Sequence, residues 1–441
     1  MDKLIEETAK HVFKIDNLRP FQKEIIKEII SGFNSDNGSL IAILPTGGGK
    51  SLCFQLPAVL ATGITIIIYP ILALIRDQSN SLNKLNIKHV VLTSENDKKK
   101  ALLDIMSGDK KIVITSMESL MNPVILSFLS TKKISLIVFD EAHTVISWGE
   151  SFRPTYLSSK DVIKRLNPNQ TLAFTATLDS YTEKKLSSLI FLTKPKIIQA
   201  SMNRENIIYH RVRSLFPLMD IVMLLSDKSK RPAIVFTSSR KRTEELALRL
   251  SKYFSTMYYH AGLSSASRLE IEKAFFYSKD SVMVATVAYG MGVNKKDIKS
   301  VIHYDISKTA SDYLQESGRA GRDGSIAHAY VLIKPDEDSP LKEVFSSNGC
   351  IREKLISLMG KELLDECQGC DGCMNIYTPC WGEKEILKYV KLFRFLFTKN
   401  TLLKFFKRKK IFNNIEEREL RKAIDILLKE KKIKSFFSHI F

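Results

Sequence analysis

SLIAILPTGGGKSLCFQLPAVL, residues 39–60, passes from an apolar strand-like run (Ser39–Leu44) through a glycine-rich turn into a helix-like run from Ser51. Backbone N–H groups at such a turn, ahead of a helix N-terminus, cradle phosphates. Thr46, Gly47, Gly48 and Gly49 supply that cradle. Lys50 reaches the β- and γ-phosphates of a bound ATP, and the Ser51 hydroxyl holds Mg²⁺. The general phosphate-loop pattern asks for glycine at position 44, where this chain has Leu44, so the full pattern fails. A second signal lies about 90 residues on. After the apolar run ISLIVF come Asp140, Glu141, Ala142 and His143. A carboxylate at a strand's C-terminal end is where a second Mg²⁺ contact belongs, and Glu141 beside it can orient and deprotonate a water.

Working outward, apolar runs alternate with amphipathic stretches: ITIIIYP, HVVLT, KIVITS, SLIVFD and TLAFTAT, up to about Met202. A second series follows: PAIVFTS, STMYYH, SVMVAT, SVIHYD and HAYVLIK. Strands separated by helical patterns imply parallel sheets with crossover helices. The expectation is therefore an α/β protein of two tandem parallel-sheet lobes, residues 1–204 and 205–335, joined near Asn203 to Arg213. A cysteine-bearing segment (336–380) and a basic helical tail (381–441) come after them. The 441 residues suffice for about two to four domains, and 44% apolar with 26% charged residues excludes a disordered, collagenous or disulfide-scaffold chain. No apolar stretch is long enough to span a bilayer, and the start carries no secretory pattern, so a cytoplasmic location without membrane contact is expected. There is no short repeat.

Charge points to a polyanion. The 67 Lys and Arg against 48 Asp and Glu give +19, and the last 61 residues alone carry an excess of ten. Cys350, Cys367, Cys370 and Cys373 form C-x16-C-x2-C-x2-C, a set suited to one closed, tetrahedral, structural Zn²⁺. Cys380 does not fit that spacing, and Cys53 reads as a small core residue. In QESGRAGRDG (Gln315–Gly324), Arg319 and Arg322 share a face if the segment is helical, and an arginine aimed at a transferring phosphoryl group stabilises its charge.

Together these segments resemble the RecQ-type DNA helicases of superfamily 2. LRPFQKEII (Leu18–Ile26) resembles the family's first motif, PTGGGKSLCFQLPA motif I, in the P-T-G-x-G-K-S form of helicase-type ATPases, YPILALIRDQ motif Ia, and DEAH motif II. FTAT (Phe174–Thr177) resembles motif III and IVFTSSR motif IV; YHAGL (Tyr259–Leu263) and VATVAYGMGVNK (Val284–Lys295) resemble those around motif V, and QESGRAGRDG motif VI. SWGESFRPTY (Ser147–Tyr156) resembles the family's aromatic-rich loop, where Trp148 and Phe152 offer faces to unpaired bases and Arg153 either grips phosphate or contacts the nucleotide site. Relatives often carry Gln and His where this chain has Ser147 and Glu150.

The resemblance implies two RecA-like lobes, a zinc module and a short, reduced winged helix, without the family's longer hairpin before Cys350 or its further C-terminal domain. It implies an ATP-dependent 3′-to-5′ DNA helicase acting as a monomer on single-stranded and tailed or forked duplex DNA, in repair and recombination. It also assigns roles. Gln22 reads adenine with Arg19 nearby; Gly290 belongs to the nucleotide site; His143 and Gln315 join Lys50, Asp140, Glu141, Arg319 and Arg322 in the catalytic set. Ser116, Thr175, Thr177, Thr237 and His260 line the DNA track or couple it to ATP. Two alternatives stay open: a DNA-stimulated ATPase that translocates with little unwinding, and an RNA helicase, because DEAH also occurs there. A catalytically silent zinc protein is disfavoured by the intact Lys50, Glu141, Arg319 and Arg322.

Overall fold

The computed structural model describes residues 1–44, 48–149, 154–176, 180–200, 204–290, 295–359, 366–393, 397–412, 415–436 and 439–440. Two compact units divide the chain, one built on Met1–Arg204 and the other beginning at Glu205.

The first unit holds a seven-stranded sheet: β1 (Gly38–Ile43), β2 (Ile64–Ile68), β3 (His89–Leu92), β4 (Ile112–Thr115), β5 (Ile134–Phe139), β6 (Gln170–Thr175) and β7 (Lys196–Gln199). Their order is β3-β4-β2-β5-β6-β1-β7, and every pairing is parallel. Helices cover both faces of such a sheet, so its inner strands read as unbroken apolar runs. ITIII of β2 and ISLIVF of β5 are buried at every position. Alternation sends Ile66, Ile68 and Ile137 into one core and Ile67, Leu136 and Val138 into the other. At the edge, KIIQ of β7 buries only Ile198.

In the second unit, β8 (Ile207–Arg213), β9 (Ala233–Phe236), β10 (Thr256–Tyr259), β11 (Val282–Ala285), β12 (Ser300–His303) and β13 (Ala327–Ile333) pair in parallel in the order β10-β11-β9-β12-β13-β8. Strand β8 corrects the expected linker: IIYHRVR mixes apolar residues with His and Arg, which hides its period, yet Ile207, Tyr209 and Val212 are buried and it forms the sheet edge. The tail runs helix (Glu383–Leu392), β14 (Phe397–Thr398), helix (Lys399–Lys407), helix (Glu417–Lys429), β15 (Ser435–Phe436) and β16 (His439–Ile440), with the three short strands antiparallel in the order β14-β16-β15. That is the element order of a winged helix. Its core gathers Ile386, Leu402, Phe406, Phe412, Leu420 and Leu427 around Leu215 and Phe216, so the tail packs on the segment that follows β8. Among the described residues no helix is long and apolar enough to cross a membrane.

Candidate functional site

Three side chains converge at the C-terminal edge of the first sheet. The helix Lys50–Leu60 follows β1, and Asp140 and Glu141 follow β5. Lys50 Nζ lies 2.6 Å from Glu141 Oε1 and 3.2 Å from Asp140 Oδ1. Burial alone pulls the lysine's pKa down, but the two carboxylates outweigh it and hold the pKa above its ordinary value. Burial pushes the Asp140 carboxyl up, against the pull of Lys50. Glu141 sits at φ +50°, a left-handed conformation uncommon outside glycine, and its N–H donates to Asp140 Oδ1 at 2.9 Å. This tight corner brings adjacent carboxylates to one lysine.

His143 links this corner to β6. Its Nδ1 lies 3.1 Å from Thr175 Oγ1 and 3.5 Å from Glu141 Oε2, so motif III residue Thr175 is coupled to the DEAH carboxylate through one imidazole. Gln22 is buried; its Nε2 donates to Gly48 O at 3.0 Å, and its Oε1 accepts the Arg19 N–H at 2.9 Å. The side-chain amide thus braces the phosphate turn from the helix Pro20–Ser31. Gly49 has φ +76°, and a Cβ there would collide with that amide, so glycine is required twice over. Gly48, Gly49, Lys50 and Ser51 at a helix N-terminus, with Asp140 at a strand end, form a donor set that fits ATP and Mg²⁺. Thr46 and Gly47 lie outside the described residues.

Ser116 is buried and caps the helix Met117–Leu120, its Oγ accepting from Ser119 N. Trp148 falls within a short helix, Thr144–Gly149, where a loop is expected from Gly149 and Pro154; a 3₁₀ turn covers Pro154–Ser158. Glu150, Phe152, Arg153 and Thr177 lie outside the described residues.

In the second unit, Thr237 is buried with its Oγ1 2.6 Å from Thr243 Oγ1, and His260 Nε2 lies 2.8 Å from Glu244 Oε1. Gln315 is half-buried on the helix Ala310–Ser317. Gly290 ends the 3₁₀ turn Val287–Gly290. Arg319 and Arg322 do not share a helical face, because the helix stops at Ser317 and both lie in the following turn. Gly318 ends the helix, and Gly321 takes φ +56°, outside any right-handed helix.

The Sγ atoms of Cys350, Cys367, Cys370 and Cys373 all lie within 4.8 Å of one another. Zn–S bonds of about 2.3 Å place tetrahedral thiolates about 3.8 Å apart, so the cluster fits zinc. Cys380 stands apart in the tail core, and burial pushes its thiol up to about 12; burial does the same to Cys53. Around the cluster the structure adds residues the sequence did not single out. Tyr209 N–H on β8 donates to Gly369 O at 2.9 Å. Arg211 pairs with Asp371 at 2.9 Å, and the Arg211 N–H donates to Asp371 Oδ2 at 2.6 Å. Arg352 is 1% exposed, donates to Ile207 O at 2.9 Å, and lies over the Tyr209 ring at 5.0 Å. Arg352 lies two residues after Cys350 and beside Glu353 and Lys354, so nothing local in the sequence marks it as buried.

The DEAD/DEAH box helicase family matches residues 19–186, and the helicase conserved C-terminal domain matches 216–324. RecS of Bacillus subtilis, provisionally named an ATP-dependent DNA helicase, is 32% identical over 80% of this chain and 72% of its own length. The chain belongs to the RecQ helicase family. RecQ of Pasteurella multocida, an ATP-dependent DNA helicase, is 30% identical over 82% of this chain, which spans 61% of that RecQ's length. A protein of Acanthamoeba polyphaga mimivirus, provisionally named an ATP-dependent RNA helicase, is 32% identical over 85% of this chain and 73% of its own. Among solved structures, Mss116p bound to single-stranded RNA and AMP-PNP superposes with TM-score 0.65 at 19% identity, covering 98% of this chain and 85% of its own, a likeness of fold. Two RecA-like lobes and a cysteine cluster suited to zinc accord with that membership.

Proposed function

We propose that the chain is an ATP-dependent 3′-to-5′ DNA helicase, translocating as a monomer on single-stranded DNA and opening tailed or forked duplexes in repair and recombination. The observation that carries the reading is Lys50 held between Asp140 and Glu141 at the strand ends of the first sheet. Ser51 and Asp140 would hold Mg²⁺, which would supply charge neutralisation to the phosphates of bound ATP. Lys50 then turns from the carboxylates toward the phosphates. Glu141, released from the lysine, orients the attacking water and accepts its proton. Arg319 and Arg322 supply guanidinium charge to the transferring phosphoryl group. The His143 bridge to Thr175 relays the state of Glu141 to β6. Cys350, Cys367, Cys370 and Cys373 would hold one structural zinc, beside the Tyr209–Gly369 and Arg211–Asp371 contacts that join this part of the chain to β8.

ATP turnover is measured with single-stranded DNA and with RNA of the same sequence, and unwinding with 3′- and 5′-tailed duplexes. The expected result is stimulation by DNA, opening of the 3′-tailed duplex only, and a loss of turnover of at least about a hundredfold in Lys50→Ala. Turnover on DNA with no strand opening makes the chain a translocase. The likeness to the mimivirus protein favours RNA as a second reading, and stimulation by RNA alone would establish it.

A further inference from the structure

Glu316 lies inside the QESGRAGRDG segment, one residue after Gln315 and three before Arg319. Its side chain is buried, and its Oε2 accepts two hydrogen bonds, from His303 Nε2 at 3.0 Å and Ser307 Oγ at 2.6 Å. His303, fully buried on β12, stands between the rings of Phe236 (5.7 Å) and Tyr313 (4.4 Å). A single carboxylate oxygen therefore ties the helix Ala310–Ser317 to β12 and to the segment after it. The arginine turn starts directly from that anchor: Arg319 N–H donates to Glu316 O at 3.2 Å and Ala320 N–H to Ser317 O at 3.1 Å.

The far end of the turn is fixed separately. Gly321 N–H donates to Ile298 O at 2.8 Å, and Asn206 Nδ2 donates to both Gly321 O and Ser325 O at 2.8 Å. At φ +56°, a Cβ on Gly321 would come within 2.5 Å of Asn206 Nδ2. Arg319 is itself buried, so its guanidinium has little room to correct for a misplaced backbone.

We propose that Glu316, gripped by His303 and Ser307, is the positioning residue that sets the placement of Arg319 and Arg322 for ATP hydrolysis. The inference rests on the reading of that pair as transition-state cations. A buried carboxylate is retained only when donors satisfy it, and here the donors come from the strand end and the turn beside it. Preorganised charge stabilises a transition state only when it is already in place, and a displacement of about 1 Å can cost about a hundredfold in rate. Truncating Glu316 leaves two buried donors without their acceptor and frees the helix end that launches the turn.

The test uses the full, zinc-loaded chain with saturating single-stranded DNA and varied ATP. Wild-type turnover is measured first; if DNA does not stimulate it, the parent reading falls and this inference with it. In an active protein, Glu316→Ala lowers kcat about ten- to a hundredfold with KM for ATP within about twofold, because the lost interaction serves the transition state. Glu316→Gln, whose amide oxygen accepts from both donors, recovers kcat to within about threefold of wild type, and single-stranded DNA affinity is unchanged in both variants. Should Glu316→Ala not fold, Ser307→Ala removes one donor alone and gives a smaller fall in kcat at constant KM. An unchanged kcat in the folded truncation overturns the proposal while leaving the helicase reading intact. An equal loss in Glu316→Gln and Glu316→Ala also overturns it, since charge rather than placement would then be the active quantity.

Discussion

Asp220 shows what a single buried carboxyl does in this chain. It is 0% exposed, accepts from Ser214 Oγ at 2.5 Å and from the Trp381 N–H at 2.7 Å, and so joins the helix Pro217–Ser226 to the start of the tail. Burial pushes its pKa up to about 7; the two hydrogen bonds and Arg213 pull the other way, and Glu383 adds to the rise. The unfolded chain releases this proton near pH 4, so the folded state binds the extra proton between about pH 4 and pH 7. Stability from this group is complete below about pH 4 and is lost as the pH rises to 7, with a ceiling of about 4 kcal/mol. Asp220→Asn keeps an acceptor for Trp381 and removes the titration. Urea unfolding from pH 5 to pH 8 should give a flatter profile for the variant, and greater stability than wild type at pH 8. Identical slopes would mean that Asp220 ionises normally inside the fold. Nothing near Asp220 in the sequence announces it, because its partner Trp381 lies 161 residues away. Lys50, Asp140 and the four cysteines were legible for the opposite reason: their chemistry depends on short spacing at strand ends and turns, which the sequence displays directly.

Among elements, the cysteine segment is bound to the edge of the second sheet. Tyr209, Arg211 and Ile207 of β8 each hold it, through Gly369, Asp371 and Arg352 respectively. An uncovered edge strand invites association with another chain, so the segment also shields β8. On the reading that the four thiolates hold one zinc ion, metal binding of this kind adds folding free energy to that of the β8 contacts. Cys370→Ser should therefore lose one zinc per chain, lower the unfolding temperature of the second unit, and promote aggregation on warming, as read by zinc analysis, calorimetry and light scattering. Full thermal stability in a zinc-free variant would show that the β8 contacts suffice without metal. Element reading from sequence succeeded where burial is two-sided, as in ITIII and ISLIVF, because a strand covered on both faces reads as a short, nearly continuous apolar run. It missed β8 and misjudged the arginine turn, because an edge strand carries polar residues and Gly318 and Gly321 end a helix that the Arg spacing alone would continue.

Across the whole molecule the charge is uneven, and the tail shows where the excess is available. From 399 to 415 there are six cations and no carboxylate. Lys399 is paired with Asp425, Lys407 donates to Ile415 O, and Lys409 lies over the rings of Tyr389 and Phe405. Lys404, Arg408 and Lys410 are exposed, and no carboxylate pairs with them among the described residues. The third tail helix is different: Glu419 meets Arg249 at 2.8 Å and Lys422 meets Asp336 at 2.6 Å, so part of its charge is committed to the second lobe. On the helicase reading, Lys404 on the second tail helix and Arg408 and Lys410 just after it are placed to neutralise phosphates. Each phosphate neutralised on a duplex adds about 0.9 to the magnitude of the log–log salt slope, so replacing Lys404, Arg408 and Lys410 together by Gln should reduce it by up to about 2.7. Fluorescence anisotropy of a tailed duplex, titrated between low and physiological salt, reads that slope. ATP turnover on single-stranded DNA should be unchanged, because Lys50, the DEAH corner and the arginine turn belong to the two lobes and not to the tail. A salt slope equal to that of wild type would assign duplex binding to other surfaces, and would leave these three cations as a solvated face that keeps the chain soluble.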